Sequence, residues 1–251
     1  MSETNTENKI LPQVKFARLD AFLDKYGLSG SVFKIIAIVS MLIDHAAWVF
    51  ISDYFSPEGI VLHTIGRLAF PIFAFLFAEG MQHTKNIYVY ALRCLIFALI
   101  SEIPFDLVFC GEITLEHCNV MFTFLFAITF ECVLRWADTK AKKLLAFAVG
   151  IACIFAADYF TCDYGMYGVI LVWILYYLRD LKQLRFIVAA IVMLYAYRDS
   201  TLQPYMVLAF PLLLLYNGKR GFIKTSATSI ACYAFYPVHL IVLWALSIPA
   251  L

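Results

Sequence analysis

Nine apolar stretches occupy most of this 251-residue chain and limit its fold more than any other feature. A membrane-spanning helix needs roughly 20 mainly apolar residues, or somewhat fewer when flanking side chains extend to the interface. The stretches lie at about 33–51, 66–80, 87–109, 119–136, 144–158, 165–179, 185–197, 204–216 and 228–250. Since 63% of the residues are hydrophobic and only 15% are charged, we predict an all-α, polytopic membrane helical bundle with about nine transmembrane helices. The short seventh and eighth stretches could instead be half-helices or a re-entrant pair.

The positions of the basic residues predict which way the helices run. If the N-terminus is cytoplasmic, every Lys and Arg residue except Arg67 and Arg198 falls on the cytoplasmic side. The connections on the opposite side are short, so any chemistry must take place inside the bundle or at its faces. We therefore predict a multi-pass protein of the cell membrane, with a cytoplasmic N-terminus and one transmembrane domain over residues 31–251.

Residues 1–30 are predicted to form a cytoplasmic arm ahead of this domain. The arm mixes both charge signs and lacks the short apolar core and the cleavage site of a signal peptide. Phe16, Leu19 and Leu23 fall on one face of a possible helix, so the arm could lie along the membrane surface. A solvated tail with a short helix explains the same pattern.

The first stretch carries an adjacent Asp44 and His45 well inside its apolar sequence. His45 lies roughly 16 Å beyond Lys34 along a helix axis, and eleven residues at about 100° each return to nearly the same face. One helix would therefore offer a cation at its cytoplasmic edge and an imidazole deep in the same groove. A pair that only holds helices together is the alternative, but Ser or Asn achieves this at lower cost, which favours a functional role.

The third stretch ends in a second polar group. Glu102 and Asp106 are one turn apart on one face, Pro104 lies between them, and Asn119 opens the next stretch near the same outer end. Carboxylates that face a cavity can orient an imidazole, hold a protonated amine or act as a base. Alternatively, both carboxylates reach the outer water.

The second stretch has one charged residue near each end. Arg67 lies at its outer end, where it could pair with Asp53 or Glu102 or extend to the interface as a single arginine. Glu79 lies near its inner end. We take both as candidate site residues because charged groups within membrane segments are costly and are usually functional.

The histidines and cysteines show no metal-binding pattern. Neither HExxH nor CxxC spacing occurs, so no metal is expected. Tyr236 and His239 share a face of the last stretch, where His239 is either a second group of the site or a packed hydrogen-bonding residue. Cys110 and Cys118 could pair on the outer side, with Cys162 as a competitor.

Six blocks of this sequence resemble the TraX family. The blocks cover most of the chain in order: Phe33–His45, Ile65–Asn86, Leu95–Leu107, Asn119–Phe124, Asp163–Val172 and Phe235–Leu240. The resemblance implies a protein of the conjugation apparatus that is similar to an N-acetyltransferase for the N-terminus of F-type pilin.

The sequence also resembles the wider group of transmembrane acyltransferases related to acyltransferase-3 proteins. Their pattern of Arg, ten residues and His matches the spacing from Lys34 to His45, with Lys in place of Arg. The run from Phe73 to Arg93 is similar to their "FFxxSGFL…RRLxRL" region, although Ala78–Gly80 departs from it. This likeness implies that acyl-CoA binds from the cytoplasm and that its acyl group passes to an acceptor on the far side. A lysine is a point charge, so its contact to phosphate would be looser than that of an arginine.

These resemblances give each candidate residue an expected role. His45 is the expected general base, and Asp44 or Glu102 is expected to fix its tautomer. The residues expected to hold the phosphates of acetyl-CoA, the acyl donor, are Lys34, Lys85 and Arg93. The candidates for stabilising the thioester oxyanion or contacting substrate are Arg67, Asn119, Tyr236, His239, Asp106 and Glu79.

The expected acceptor lies outside the cytoplasm and is a peptide or pilin N-terminus, a glycan or a small amine. Other expected partners are membrane lipids and a possible second copy of the chain, but no nucleic acid. The rival hypothesis is a small proton-coupled transporter or lipid flippase, with Asp44, His45 and Glu102 as its proton relay. We see no inverted repeat of the kind that many transporters contain, which favours the acyltransferase.

Overall fold

A computed structural model describes residues 17–114, 116–181, 183–223 and 226–248, and in these ranges the protein is all-α, as predicted. The helices are α1 (Ala17–Tyr26), α2 (Gly30–Phe50), α3 (Pro57–Gly66), α4 (Ala69–His83), α5 (Ile87–Phe109), α6 (Val120–Trp136), α7 (Lys140–Tyr159), α8 (Gly165–Tyr177), α9 (Leu184–Ala196), α10 (Ala209–Leu213) and α11 (Ser226–Ser247). Two 3₁₀ segments, Arg179–Leu181 and Gln203–Leu208, precede α9 and α10.

Every predicted apolar stretch contains helix in this structure. Within the part of the chain that the structure describes, three helical segments are long and apolar enough to cross a membrane: Gly30–Phe50, Pro57–His83 and Ile230–Ser247. The number of nine crossings and the cytoplasmic N-terminus stay predictions. We took the segment between the first two apolar stretches for an outer loop. This prediction is wrong in part, because Pro57–Gly66 forms α3.

The connections alternate between two ends of the bundle. We call the end at which α2 stops the upper end. There the connection before α6 pairs with the connection before α8, since the backbone N–H of Asp163 donates to the Cys118 carbonyl at 2.9 Å. At the opposite, lower end, the N–H of Leu28 donates to the Leu215 carbonyl at 2.8 Å. The polar candidate site residues lie at one of these two ends.

Close helix packing depends on small residues, as is usual when lipid replaces water around a bundle. A Cβ atom at Gly168 of α8 would lie 2.6 Å from Cγ2 of Thr123 on α6, so only glycine permits this approach. The buried core is centred on α4 and α8, whose fully enclosed side chains include Ile72, Phe75 and Leu171.

Large apolar side chains are also exposed around the outside of the bundle. A soluble protein rarely exposes so much contiguous apolar surface, whereas lipid accommodates it. The exposed residues on α2, α5 and α7 include Ile35, Val39, Leu42, Trp48, Leu92, Ile96, Leu99, Ile100, Ile103, Leu144, Leu145, Phe147, Ile151 and Phe155.

The N-terminal arm is described only from residue 17 onward. In α1 the side chain of Leu23 is buried, and Asp24 forms an ion pair of 2.6 Å with Lys219 at the lower end. Phe16 and the side chain of Leu19 lie outside the described residues, so the interfacial arm and the domain boundary at residue 31 stay predictions.

Candidate active site

His45 is hydrogen-bonded to His239 of α11. Its Nδ1 lies 2.8 Å from His239 Nε2, and His239 Nδ1 lies 2.8 Å from the carbonyl oxygen of Phe235. A carbonyl only accepts, so we assign the proton of His239 to Nδ1. The Nε2 of His239 must then accept from Nδ1–H of His45. This leaves Nε2 of His45 with a free lone pair, which is the state that a general base requires.

A narrow cavity lies beside this histidine pair in the upper half of the bundle. Its volume is about 40 Å³, so it holds a few water-sized groups, and larger ligands require the lining side chains to move. The polar lining residues are Asp44, His45, Asp163, Tyr164 and Tyr236. The apolar lining residues are Met41, Gly66, Ala69, Phe70, Phe73, Val120 and Phe124.

Asp44 is not the partner of His45, contrary to one of our two expectations. One of its oxygens lies 2.8 Å from His63 Nδ1, and the other accepts from Arg67 at 2.5 Å. The Nε of Arg67 also donates to the His63 carbonyl at 3.3 Å. The predicted pairing of Arg67 with Asp53 or Glu102 is therefore wrong.

His63 is a site residue that the sequence argument missed, because we took its segment for a loop. The helix signals were present: Ser56 caps α3 by accepting from the Gly59 N–H at 3.0 Å, and Pro57 follows it. With α3 recognised, His63 and Arg67 fall four residues apart on one face. This is the spacing that lets both reach Asp44.

Glu102 also does not support His45, because it holds the start of α6. It accepts from the backbone N–H of Asn119 at 3.1 Å and from the side-chain amide of the same residue. That amide also donates to the Ala98 carbonyl at 2.9 Å, and its oxygen accepts from the Met121 N–H at 2.9 Å. Asn119 is thus an N-cap whose polar atoms are all engaged, whereas Tyr236 lines the cavity.

Two further candidate carboxylates do not line the cavity. Asp106 is fully buried and accepts from the Thr114 N–H at 3.1 Å, so the alternative that it reaches the outer water is wrong. Glu79 lies at the lower end, where it contacts Arg185 and Tyr216, each at 3.3 Å. Neither residue is placed to act on a group held beside His45.

The lower end carries a group of cations around α11. Lys34 faces α11, since its ammonium interacts with Cys232 and with Arg220. Arg93 of α5 interacts with Tyr233, the next residue of α11. His45 contacts the same helix through His239, and the shared face of Lys34 and His45 stays a prediction. Among the residues that the structure describes, neither Lys34 nor Arg93 forms an ion pair with a carboxylate.

Lys85 is the most peripheral of the predicted phosphate ligands. It is exposed in the turn before α5, at the same lower end. Arg220 interacts with Lys34 and was missed by the sequence argument. Its carbonyl accepts from the N–H of Ser31 at 2.9 Å and from the Ser31 hydroxyl at 2.8 Å, which fixes it beside the first turn of α2.

A buried glutamate in α6, Glu131, was also missed. Its oxygens accept from the hydroxyls of Tyr176 at 2.8 Å and Tyr177 at 2.6 Å, and from Arg135 Nε at 2.7 Å. Because every charge in this cluster is matched, it holds α6 against α8 near the lower end. Its fully satisfied geometry indicates a structural rather than a chemical role.

The cysteines of the described ranges are free thiols. Cys118 lies against Cys162 across the upper connections, and Cys110 forms no disulfide with either. Burial raises the pKa of the Cys118 thiol to about 11, and the nearby Glu102 carboxylate adds to the effect. The thiol therefore stays protonated at neutral pH, which argues against a nucleophilic role.

A second, more open pocket lies at the upper end, with a volume of about 310 Å³. Its lining residues are Phe109, Cys110, Glu112, Thr114, Glu116 and His117. The Phe109 ring also packs edge-on against the imidazole of His45, with ring centroids 5.0 Å apart. Phe109 therefore contacts His45 and also lines the upper pocket.

Gly66 is the point at which α3 passes Asp44, and it provides a steric test of the site. A Cβ atom there would lie 2.3 Å from Asp44 Cβ. We expect Gly66→Ala to displace Asp44, to lower the free energy of unfolding by about 1–3 kcal/mol and to reduce activity. Gly30→Ala is the matched control, because its Cβ would meet nothing closer than 3.4 Å. Equal denaturation midpoints in detergent for both variants would contradict the close packing.

A helical bundle with three membrane-length apolar segments and an enclosed polar site defines a helical membrane protein. The family described as TraX protein matches residues 29–247, and the chain belongs to this family. The chain is also similar to the probable fimbrial assembly protein FimC, serogroup H1, of Dichelobacter nodosus. The two are 32% identical over 234 residues, covering 84% of this chain and 92% of the relative. No solved structure matches the chain.

Proposed function

We propose that this protein is a membrane acyltransferase that moves an acetyl group from cytoplasmic acetyl-CoA to an acceptor on the other side of the membrane. The observation that carries the proposal is the free lone pair on His45 Nε2, held inside an enclosed cavity by the bond to His239. Membership of the TraX family and the fimbrial assembly relative favour a pilin or another peptide N-terminus as the acceptor.

The chemistry requires a base, a donor to the oxyanion and a defined tautomer. His45 takes a proton from the acceptor nitrogen as that nitrogen bonds to the thioester carbonyl carbon. The carbon–sulfur bond breaks, and the sulfur leaves as the thiol. Tyr236 lines the same cavity, and its ring lies 6.4 Å from that of His45, so its hydroxyl is the best-placed donor to the oxyanion.

The lower cations suit the phosphates of the acyl donor. Lys34, Arg93 and Arg220 gather around α11, and His45 lies roughly 16 Å further along the axis of α2. An extended pantetheine arm that runs along the α2–α11 interface would carry the thioester from these cations toward His45. This arrangement requires the lower end to face the cytoplasm, in agreement with the predicted orientation.

The proposal includes nine membrane crossings, with the phosphate-binding residues on one side of the membrane and the acceptor on the other. The exposed apolar side chains of α5 and α7 support it, because these two helices also present a lipid-compatible surface. Neither helix is among the three segments that stand out by length and hydropathy, although α5 has 23 residues and α7 has 20.

Replacing Lys34 tests the placement of the donor. We expect Lys34→Ala to raise the KM for acetyl-CoA about tenfold, and to leave kcat within about twofold, because a phosphate contact is the same in the ground and transition states. Steady-state kinetics of the purified protein in lipid provides the measurement. Lys143→Ala, an exposed lysine on α7 at the same end, is the control. Identical KM values for the two variants would remove Lys34 from the donor site.

The transporter hypothesis is less well supported by the histidine pair. A proton relay must pass its proton onward, but the chain from His45 through His239 ends on the backbone carbonyl of Phe235. Proton-coupled flux of a solute into liposomes, without CoA present, would favour the transporter. Saturable binding of acetyl-CoA to the purified protein would favour the acyltransferase.

A further inference from the structure

Asp163 is a carboxylate of the cavity to which the reaction above assigns no role. It lies in the turn between α7 and α8, where its backbone N–H donates to Cys118 and its carbonyl accepts from the Thr123 hydroxyl. Its side chain is largely enclosed by its neighbours, and the residue lines the same cavity as His45. The backbone contacts fix the position of Asp163 at this cavity, where its carboxylate interacts with Arg67.

The next residue, Tyr164, has a strained backbone conformation. Tyr164 adopts a left-handed conformation with φ of 65°, which is unfavourable for a bulky side chain. Its ring is fixed by stacking on Phe70, with centroids 3.5 Å apart and planes within 5°. Backbone strain of this kind persists only where the surrounding structure enforces it, so the turn that carries Asp163 and Tyr164 is fixed beside the cavity.

Counting charges around the cavity shows an imbalance. Asp44 and Asp163 are two carboxylates, and Arg67 is the guanidinium that interacts with both. Asp44 is already paired with Arg67 at 2.5 Å. Unless a nearby histidine is protonated, ionised Asp44 and Asp163 exceed the charge of Arg67 by one, and burial raises the pKa of the Asp163 carboxyl to about 6.

The hydrogen bonds of the two nearby histidines indicate that both are neutral. His45 donates from Nδ1 and keeps a lone pair on Nε2. His63 donates to Asp44, and its buried Nε2 has no partner among the described residues. A protonated His63 would leave a charged N–H without an acceptor at that position, which is far more costly than an unused lone pair.

We propose that Asp163 binds the ammonium group of the acceptor and holds it beside His45, an assignment that rests on the proposed acetyl transfer. A free peptide N-terminus has a pKa near 8 and arrives mostly protonated at neutral pH. A hydroxyl acceptor is uncharged and would leave the excess charge of the cavity unmatched. Asp163 therefore acts as a specificity-determining residue for amines.

The protons of this reaction balance. The ammonium held by Asp163 first passes one proton through His45 Nε2 to water and becomes the amine. His45 Nε2, free again, takes the second proton as the amine nitrogen bonds to the thioester carbon, and it gives that proton to the sulfur as the carbon–sulfur bond breaks. The third proton stays on the amide nitrogen, so one proton is released for each acetyl group transferred.

Asp163→Asn is the direct test, because it removes the charge and keeps the shape. We expect it to raise the KM for an amine acceptor about 10- to 100-fold, as for the loss of a charge-assisted hydrogen bond, with the KM for acetyl-CoA unchanged. Asp163→Glu keeps the charge and should recover part of the affinity. Asp158→Asn is the matched control, since that carboxylate is exposed five residues earlier in the chain.

A binding measurement separates this assignment from the proposed function. The probes are a synthetic peptide with a free N-terminus and its N-acetylated twin. The wild-type protein should bind the free peptide more tightly, and Asp163→Asn should abolish the difference. Equal binding of both peptides to the wild type, or an undiminished difference in Asp163→Asn, overturns the role of Asp163. Discrimination without any transfer from acetyl-CoA would support Asp163 and overturn the acyltransferase.

Discussion

His45→Ala should lower acetyl transfer from acetyl-CoA by about 100- to 10,000-fold, the usual contribution of a positioned general base. The substitution removes the only imidazole nitrogen of the cavity lining with a free lone pair, among the residues that the structure describes. Acetyl-CoA binding should change little, because the cations that suit its phosphates lie at the lower end of α2. Transfer of radiolabelled acetyl to an acceptor peptide, measured beside acetyl-CoA affinity, checks both statements.

Two further histidine variants test whether the loss of activity is specific to His45. His239→Ala keeps the base but frees it to take either tautomer, so its activity should lie between that of His45→Ala and the wild type. His83→Ala is the control, since that side chain is 79% exposed at the lower end. Wild-type rates in His45→Ala would end the proposal of base catalysis at this position.

Arg67→Met should lower the free energy of unfolding by about 3–5 kcal/mol, the usual cost of leaving one partner of a buried ion pair without the other. The side chains of Arg67 and Asp44 are only 12% and 14% exposed, so water compensates little for the lost guanidinium. Unfolding with a denaturing detergent in mixed micelles provides the measurement. The effect should be larger than that of most substitutions because the uncompensated charge is enclosed.

A second variant tests whether Arg67 and Asp44 contribute to stability as a pair. Asp44→Asn combined with Arg67→Met removes both charges and keeps an acceptor for His63. We expect this double variant to be more stable than Arg67→Met alone, since no uncompensated charge remains. Arg198→Met is the control, because that arginine is 61% exposed at the upper end. A double variant less stable than Arg67→Met would show that the pair does not act as a unit.

The relation between Lys34 and His45 could be predicted from the sequence because it depends on one helix. Gly30–Phe50 is unbroken, so the spacing of eleven residues fixed the shared face. The partner of His45 could not be predicted in the same way. His239 lies 194 residues further along the chain, and its approach depends on how α11 packs against α2. Asp44 and Glu102 were closer in sequence, but each has other partners.

The error at α3 has a different cause. The segment from Ser56 to Gly66 is bounded by turn-forming residues, and this pattern indicates a connection as readily as a short helix. Once folded, α3 carries His63 and Arg67 to Asp44 and lets Gly66 pass within contact of it. A periodicity argument over so few residues could not have separated these possibilities.

Hydropathy and charge are properties of consecutive residues, so the sequence alone determined the nine apolar helical stretches, the membrane class and the family to which the chain belongs. Those properties also placed costly polar groups at defined depths along each helix. They did not determine how the helices rotate and approach one another, because most rotations leave the apolar surface in lipid equally well covered. Only the tertiary structure decided that His45 joins His239, that Asp44 joins His63 and Arg67, and that Asp163 faces the cavity.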